Sequence, residues 1–215
     1  MKDLHQQIKT LQSIVSRKGS SKVLTFSIPH VFKALQILEK DHYVSRASFC
    51  KALHLGEGAV KTLILHLKSS GLVDSTKSGT FLTPKGKTFV GKILQEIPAE
   101  CTITKNKILK SNHNHVILLR NYANAIKSGM EQRDYAILYG ATGVITLIFS
   151  NGRFMFPNEG KEFFTDETEL KEELIKKLEP KEKDVIIIST AGDDFMAEVS
   201  AKNSALWTIA QHEHH

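Results

Sequence analysis

The sequence predicts an α+β protein with two domains, and three observations support this prediction. Up to about residue 96 the apolar residues recur mainly at helical spacing, whereas after residue 115 strand-like apolar segments alternate with helical ones. The charge divides at nearly the same place. Residues 1–110 contain 18 basic and 7 acidic residues, and residues 111–215 contain 11 basic and 16 acidic residues. We therefore expect the two halves to perform different tasks.

The composition excludes several classes of protein. Apolar runs such as Val185 to Ile188 are far shorter than the roughly 20 residues that cross a bilayer. Charges and glutamines interrupt the first 15 residues, where a secretory signal has a continuous apolar block. Cys50 and Cys101 form no CxxC pair, which favours buried thiols over a metal cage or a disulfide framework. We expect a cytoplasmic protein that has no membrane partner, metal or other cofactor.

Residues 1–21 are predicted to form an amphipathic helix and its end. Leu4, Ile8, Leu11 and Val15 follow one another at spacings of four, three and four, which places them on one helical face. Gly19 and the serines beside it end the helix. The apolar face either packs on its own domain or pairs two copies as a dimerisation helix.

Two further helices have clear starting signals. The first follows Ser27 and Pro29, a capping residue and a first-turn proline. The second begins at Ser45, whose hydroxyl can accept a hydrogen bond from a free N–H of the first turn. Val44 and Phe49 are spaced for a hydrophobic staple across that turn. These signals predict a second helix through about residue 40 and a third from residue 45 to residue 55.

The segment "GEGAVKT", from Gly56 to Thr62, has some features of a phosphate-binding loop but fails its main requirement. Such a loop has glycine directly before its lysine and a strand before it. Here Val60 precedes Lys61, and the preceding segment is predicted to be helical. A dinucleotide-binding GxGxxG motif fails as well, because its third glycine would fall at Lys61. The segment is better explained as a turn that leads into a fourth helix.

The fourth helix spans Gly58 to Ser70 in the prediction. Val60, Ile64 and Leu67 recur at helical spacing and form its buried face. Gly71 can end the helix in the left-handed conformation. Two short strands, "LVDS" and "TFLT", then flank the turn "TKSG", and Thr83-Pro84 starts a last helix.

This order of helices, hairpin and helix is that of a winged helix-turn-helix domain, which we place at residues 22–96. Residues 29–94 resemble that family in "AVKTLILHLKSSGLV" and in "FLTPKGK". The resemblance implies that the Gly58–Ser70 helix enters the major groove of double-stranded DNA while the wing contacts phosphates. The implied contacts are Lys61, Thr62 and His66 to bases, with Arg46 and Ser48 on the preceding helix, and Lys77, Lys85 and Lys87 to phosphates.

Two residues on the same surface leave an alternative open. Glu57 brings a negative charge to the start of the fourth helix, and Leu65 is an apolar residue on its outward face. Few side chains there can hydrogen-bond two atoms of one base. The winged helix could therefore serve instead as a protein-interaction adaptor that docks a partner protein.

Residues 97–114 are polar and basic, and we interpret them as a linker with one short strand near Ile103. His113 and His115 have the spacing of two metal ligands on a strand, but no third ligand lies nearby in the sequence. We therefore assign no metal to this segment.

Residues 115–211 are predicted to form an α/β domain for effector binding or assembly. The strands are "HVILLR", "VITLIF", "RFMF" and "DVIIIST", with a two-residue turn at Asn151-Gly152. The helices are "SGMEQRDYAILYGA", "TDETELKEELIKKL" and "FMAEVSAKNSALWTIAQ". This βαββαβ order is that of a ferredoxin-like domain with an extra C-terminal helix.

The C-terminal half shows no catalytic signature, and we expect no enzyme. Arg133 and Asp134 could bind an anionic effector or simply pair with each other. Asp193 and Asp194 follow a strand end, where we interpret them as the cap of the last helix. The remaining alternative is an enzyme that turns over a nucleotide or a vitamin precursor.

The whole chain also resembles a small archaeal family in which a winged helix precedes a C-terminal domain of unknown function. The resemblance is carried by "LGEGAVKTL", "FLTPKGK", "RDYAILYGATGVITLIF", "NGRFMFP" and "DVIIIST". It implies a transcriptional regulator, which we expect to be a homodimer that binds a palindromic DNA site. The acidic half would then sense a small-molecule effector or mediate assembly.

Overall fold

The computed structural model describes residues 2–16, 24–165 and 167–211, with side chains from residue 6 onward. The predicted break at Gly19 therefore lies outside the described residues, as does the side chain of Leu4. The chain divides into two compact units, Met1–Ile93 (unit 1) and Leu94–His215 (unit 2). Both contain helices and strands, so the α+β class is confirmed. In the described part of the chain, no helix is both long and apolar enough to cross a membrane.

Unit 1 is mainly helical and carries one β-hairpin. Its elements are α1 (Lys2–Ile14), α2 (Ile28–Asp41), α3 (Arg46–Leu53), α4 (Glu57–Ser69), β1 (Val73–Thr76), β2 (Gly79–Leu82) and α5 (Pro84–Glu96). The strands β1 and β2 pair antiparallel, with Val73 opposite Leu82. The helices and strands follow one another in the order that the sequence predicts.

Helix α1 uses its apolar face inside unit 1. Ile8, Leu11 and Ile14 are buried, and the helix contacts α2 and α4. At its C-terminal end, Nδ1 of His66 on α4 lies 2.6 Å from the carbonyl oxygen of Ile14. These contacts are those of a helix that packs on its own domain.

The hairpin is fixed to the chain just before α3. Val44 and Thr80 exchange two backbone hydrogen bonds of 2.9 Å, which add a third short strand segment to the hairpin. Gly79 has φ +132°, and a Cβ there would lie 2.8 Å from the Val44 carbonyl oxygen, so only glycine fits. Ser45 then caps α3, because its hydroxyl accepts a 3.1 Å hydrogen bond from the N–H of Ser48. The hairpin is thereby held beside the start of α3.

Unit 2 contains a five-stranded sheet with helices on both faces. Its elements are β3 (Ala99–Ile103), β4 (Asn114–Leu119), a short 3-10 helix (Ala123–Ala125), α6 (Met130–Ile137), β5 (Gly143–Ser150), β6 (Arg153–Met155), α7 (Thr168–Leu178), β7 (Val185–Thr190) and α8 (Asp194–Gln211). The strand order is β3-β4-β7-β5-β6. Every neighbouring pair is antiparallel.

The strand order differs from the predicted ferredoxin-like sheet. The four predicted strands do appear, as β4, β5, β6 and β7, with α6 and α7 as crossover helices. A ferredoxin-like sheet has the first and third strands of its motif at the centre, whereas here the second and fourth, β5 and β7, are the central pair among these four. The two crossovers, β4-α6-β5 and β6-α7-β7, still each pass over one intervening strand, as in a split βαβ unit. The order of the strands in the sheet is different.

The segment predicted as a linker with a short strand near Ile103 contributes an edge strand to the sheet. Within residues 97–114, β3 pairs with β4 along its whole length. Ala99, Cys101 and Ile103 pack against the core on one face of the sheet. Glu100 lies between them in sequence and forms an ion pair with Lys202 of α8. The alternation of apolar and polar residues from Ala99 to Ile103 is that of a strand with one face on a core.

The sheet separates two layers of helices. The core that includes Val116, Leu147 and Ile186 lies on the side of α7, and α8 contacts β4 and β7 while also packing on α6. Helix α8 begins at a capped end, because the Asp193 carboxylate accepts a 2.7 Å hydrogen bond from the N–H of Met196. The predicted cap at this position is confirmed.

Candidate nucleic-acid interface

A groove of about 400 Å³ in unit 1 collects cationic side chains from three elements. Its walls are α4, the β1–β2 hairpin and the start of α3. Arg46 comes from α3, Lys61 and Lys68 from α4, and Lys77 from the turn of the hairpin. Unit 1 as a whole contains 15 basic and 5 acidic residues. The groove is therefore a positively charged concavity in a positively charged unit.

The periodicity of α4 explains which of its side chains face the groove. Val60, Leu63 and Leu67 are buried and fix the inner face of the helix. Lys61, Leu65 and Lys68 are spaced by four and three residues, so they lie on one side of the helix. All three line the groove.

One cation of the groove has an acidic partner. Nζ of Lys68 lies 3.1 Å from a carboxylate oxygen of Asp74 on β1, and the two side chains are 36% and 63% exposed. The pKa of Asp74 is lowered by a hydrogen bond from the backbone of Ser75 and, next, by Lys68. This ion pair joins the last turns of α4 to the hairpin, but such an exposed pair contributes little to stability.

His66 lies away from the groove, so the structure does not support its predicted place among the base-facing residues. Its ring hydrogen-bonds the Ile14 carbonyl oxygen at 2.6 Å and makes an edge contact with Phe26 at a centroid distance of 5.9 Å. Five residues correspond to about 500° around a helix, so His66 lies about 140° from Lys61. The docking of α1, which helical spacing alone does not reveal, occupies this side of α4.

Thr62 and Ser48, two further predicted contacts, do not line the groove. Thr62 is half-buried, and its hydroxyl donates a 3.0 Å hydrogen bond to the Gly58 carbonyl oxygen. Ser48 is exposed, and its hydroxyl lies 2.8 Å from that of Ser45. The structure therefore gives both hydroxyls local partners, and neither residue is among those that line the groove.

The two lysines of α5 lie outside the groove. Nζ of Lys85 donates a 2.8 Å hydrogen bond to the Ser70 carbonyl oxygen at the end of α4, where a cation is favoured by the helix dipole. Lys87 borders a second concavity together with Tyr43 and Phe81. Both lysines are exposed, but only Arg46, Lys61 and Lys77 of the predicted cations meet at the groove.

Lys68 lines the groove although the sequence predictions do not include it, and Glu57 lies outside the groove. Lys68 follows Lys61 by two helical turns, and this spacing could have identified it. Glu57 is exposed in the first turn of α4, where its charge stabilises the positive end of the helix dipole. It is not among the residues that line the groove.

In unit 2 a cluster of ionisable side chains surrounds the buried Lys202. Lys202 is fully buried and pairs with Glu100 and, at 3.3 Å, with Glu198. Nε2 of His115 lies 3.3 Å from the same Glu100 carboxylate. Burial alone would raise the pKa of Glu100, but hydrogen bonds and charges from His115 and Lys202 outweigh it and lower the pKa to about 2. The cluster joins α8 to the sheet by compensated charges.

The remaining predicted sites of unit 2 do not converge. Arg133 and Asp134 are exposed on α6. His113 pairs with Asp194 at 2.9 Å, whereas His115 belongs to the Lys202 cluster. Among the described residues no group of three or more histidine, cysteine or acidic side chains is arranged to hold a metal ion.

Comparisons with known proteins find a matching family for part of the chain and a solved structure with a similar fold. Residues 110–209 match a family described as "Domain of unknown function (DUF4443)". No curated protein matches the chain significantly. The structure is similar to a solved chain described as "Hypothetical protein PH0730 from Pyrococcus horikoshii OT3", with a TM-score of 0.71 and 24% identity over 87% of this chain and 95% of that chain. This archaeal neighbour shares the fold, and the C-terminal half matches a domain of unknown function, as the sequence resemblance predicts.

Proposed function

We propose that unit 1 is a winged helix-turn-helix domain that binds double-stranded DNA, and that the protein is a transcriptional regulator. The observation that carries the proposal is the groove in which Arg46, Lys61, Lys68 and Lys77 meet between α4 and the hairpin. A duplex presents phosphates on both sides of its major groove, and cations that neutralise these phosphates bind by releasing the counterions of the DNA.

The elements of unit 1 support this assignment. Helix α4 takes the role of the recognition helix, α3 that of the helix before it, and the β1–β2 hairpin that of the wing. Lys77 lies at the turn of the hairpin, where a wing contacts the DNA backbone. Lys61 lies on the outward side of α4, where a helix in the major groove reaches base edges or phosphates.

Fluorescence anisotropy with a random-sequence duplex tests the proposal. We expect binding at 50 mM salt that weakens strongly at 200 mM salt, because each phosphate that the protein neutralises adds roughly one power of salt concentration to the dependence. Replacing Lys61 and Lys77 by alanine should lower the affinity and flatten the salt dependence by about two powers. Lys9→Ala removes one exposed charge from α1 and serves as the matched control. A wild-type protein that does not bind at 50 mM salt would refute the DNA-binding proposal.

For unit 2 we propose a role in homodimer assembly, in keeping with a regulator that binds a palindromic site. Helix α6 and its end expose Met130, Ile137 and Leu138, which are 57%, 44% and 75% accessible to solvent. Large exposed apolar residues so close together are typical of association surfaces. Leu138→Glu should convert a dimer to a monomer in light scattering, with an unchanged circular dichroism spectrum. A wild-type monomer at micromolar concentration would contradict this role.

Arg133 and Asp134 lie on the same helix, so an anionic effector bound there would lie beside the proposed dimer surface. Such a site would couple effector binding to assembly. A thermal-shift screen with anionic metabolites, repeated on Arg133→Gln, would reveal it as a stabilisation that the variant lacks.

One observation favours protein docking as a second candidate function. Leu65 is 55% exposed on the same side of α4 as the lysines. If the groove binds a protein instead of DNA, the Lys61→Ala and Lys77→Ala changes will leave DNA affinity unaltered. The salt titration described above therefore separates the two candidates.

A further inference from the structure

Leu65 is an exposed apolar residue in the middle of a cationic surface. It lies four residues after Lys61 and three before Lys68, and all three line the groove. Its neighbour Ile64 is buried, whereas Leu65 is 55% exposed. Leu65 contributes little to the core, so the fold alone does not account for a leucine here.

The rest of this side of α4 has little capacity to distinguish bases by hydrogen bonds. The helix, "EGAVKTLILHLKS", contains no arginine, asparagine or glutamine, the planar side chains that bond two atoms of one base in a fixed geometry. Its lysines can donate to guanine, but the lysine ammonium is a flexible point charge. The Thr62 hydroxyl donates to the Gly58 carbonyl oxygen, and the Lys68 ammonium pairs with Asp74. The side chain that projects between the two lysines is therefore apolar.

Thymine carries the one apolar group on the base edges of the major groove, the methyl group at C5. We infer that Leu65 contacts thymine methyl groups and gives this surface a preference for thymine-containing sites. The inference rests on the proposed function, since it requires that α4 enters the major groove. Burial of a methyl group against Leu65 should strengthen binding about fourfold for each methyl contacted.

The surroundings of Leu65 favour DNA over a protein as its partner. A protein docking surface generally presents a contiguous apolar patch several hundred Å² in area. Around Leu65 the groove walls contribute Arg46, Lys61, Lys68 and Lys77. A single leucine surrounded by cations is complementary to a thymine methyl group that lies between the phosphates of DNA. It is less complementary to an extended apolar protein surface.

A pair of duplexes isolates the methyl group. Alternating dA·dT and alternating dA·dU duplexes present the same hydrogen-bonding groups in both grooves and differ in the C5 methyl. We expect the wild-type protein to bind the dA·dT duplex about fourfold or more tightly than the dA·dU duplex in an anisotropy titration at 50 mM salt. A second pair, alternating dI·dC and alternating dI·5-methyl-dC, differs in a C5 methyl group on cytosine. We expect the wild-type protein to bind the methylated duplex more tightly.

The Leu65→Ala variant tests whether this residue is responsible. Because Leu65 is exposed, we expect the variant to have an unchanged melting temperature, and its affinity for dA·dU should remain within about twofold of the wild-type value. Its preference for dA·dT over dA·dU should disappear. Lys61→Ala is the matched comparison: it should weaken binding to both duplexes equally and keep the preference.

Three other outcomes would each refute one specific claim. Equal, salt-dependent binding of the wild-type protein to dA·dT and dA·dU would refute recognition of thymine methyl groups and leave DNA binding intact. A preference retained by Leu65→Ala would assign it to DNA shape instead of this side chain. Absence of binding to every duplex at 50 mM salt would refute the proposed function and, with it, this inference.

Discussion

Nδ1 of His66 lies 2.6 Å from the carbonyl oxygen of Ile14, so a hydrogen bond joins the end of α1 to α4. Because a carbonyl oxygen only accepts, Nδ1 carries the proton of this bond. Ile14 itself is buried against the same region of unit 1. The contact fixes α1 to the side of α4 that is turned away from the groove.

His66→Ala should therefore destabilise unit 1 without weakening DNA binding. Loss of one partly buried hydrogen bond and its ring contact with Phe26 should lower the free energy of unfolding by roughly 1 kcal/mol. Urea unfolding followed by circular dichroism measures the change. Thr62→Val, which removes a hydrogen bond within the helix itself, is the comparison on the same element. Weaker DNA binding by a folded His66→Ala protein would instead restore the base-facing role predicted from the sequence.

Lys202→Met should be strongly destabilising. Lys202 is fully buried, and the change removes the cation that pairs with the Glu100 and Glu198 carboxylates. Breaking a buried ion pair from one side costs about 3 kcal/mol or more. The control is Lys177→Met, since Lys177 forms an exposed pair with Glu173 one helical turn away and should change stability by less than about 0.5 kcal/mol. Similar effects for the two variants would show that the buried cluster has no special stabilising role.

The same cluster predicts a loss of stability in acid. The pKa of Glu100 is lowered from 4.5 to about 2 in the folded protein. A carboxyl group with a lowered pKa contributes stability that is present above the unfolded value and disappears as the pH falls towards the folded value. Urea midpoints should therefore fall as the pH is lowered from 4.5 to about 2, and Glu100→Gln should flatten that part of the profile. An unchanged slope in the variant would assign the acid sensitivity to other carboxyl groups.

Gly79→Ala should impair the hairpin. A Cβ at this position would lie 2.8 Å from the Val44 carbonyl oxygen, and the backbone has φ +132°. The change should cost more than about 1 kcal/mol and displace the turn that carries Lys77. Both the melting temperature and the DNA affinity should fall. Gly91→Ala is the control, because its Cβ would meet nothing within 4 Å in the middle of α5, and it should stabilise the protein by about 0.5–1 kcal/mol.

Local sequence signals predict unit 1 well because its structure is determined by local interactions. The cap at Ser45 and the apolar periodicity of Val60, Leu63 and Leu67 each act within one or two helical turns. The position of His66 was misjudged for the opposite reason. Its partner, Ile14, is 52 residues away in sequence, and only the tertiary structure brings the two together.

Unit 2 shows where sequence patterns are insufficient. Buried runs such as Val185–Thr190 identify strands, but strand order depends on pairings between distant segments, such as Val116 with Ile188. A short strand near Ile103 is predicted, but its length and its place at the edge of the sheet are not, and the partner of Glu100, Lys202, is 102 residues away. A charged residue in a short polar segment suggests a solvated linker until that partner is known.

Asp74, paired with Lys68 at 3.1 Å, gives the proposed DNA-binding surface a built-in competitor for phosphate. A phosphate oxygen of DNA could pair with Lys68 only by displacing the Asp74 carboxylate. The negative charge of Asp74 would then face the DNA phosphates. This exchange lowers the affinity of complexes that rely on charge alone. Complexes that form additional contacts can offset its cost. If unit 1 binds DNA as proposed, the hairpin that carries Lys77 would thus also restrain the affinity for arbitrary sequences.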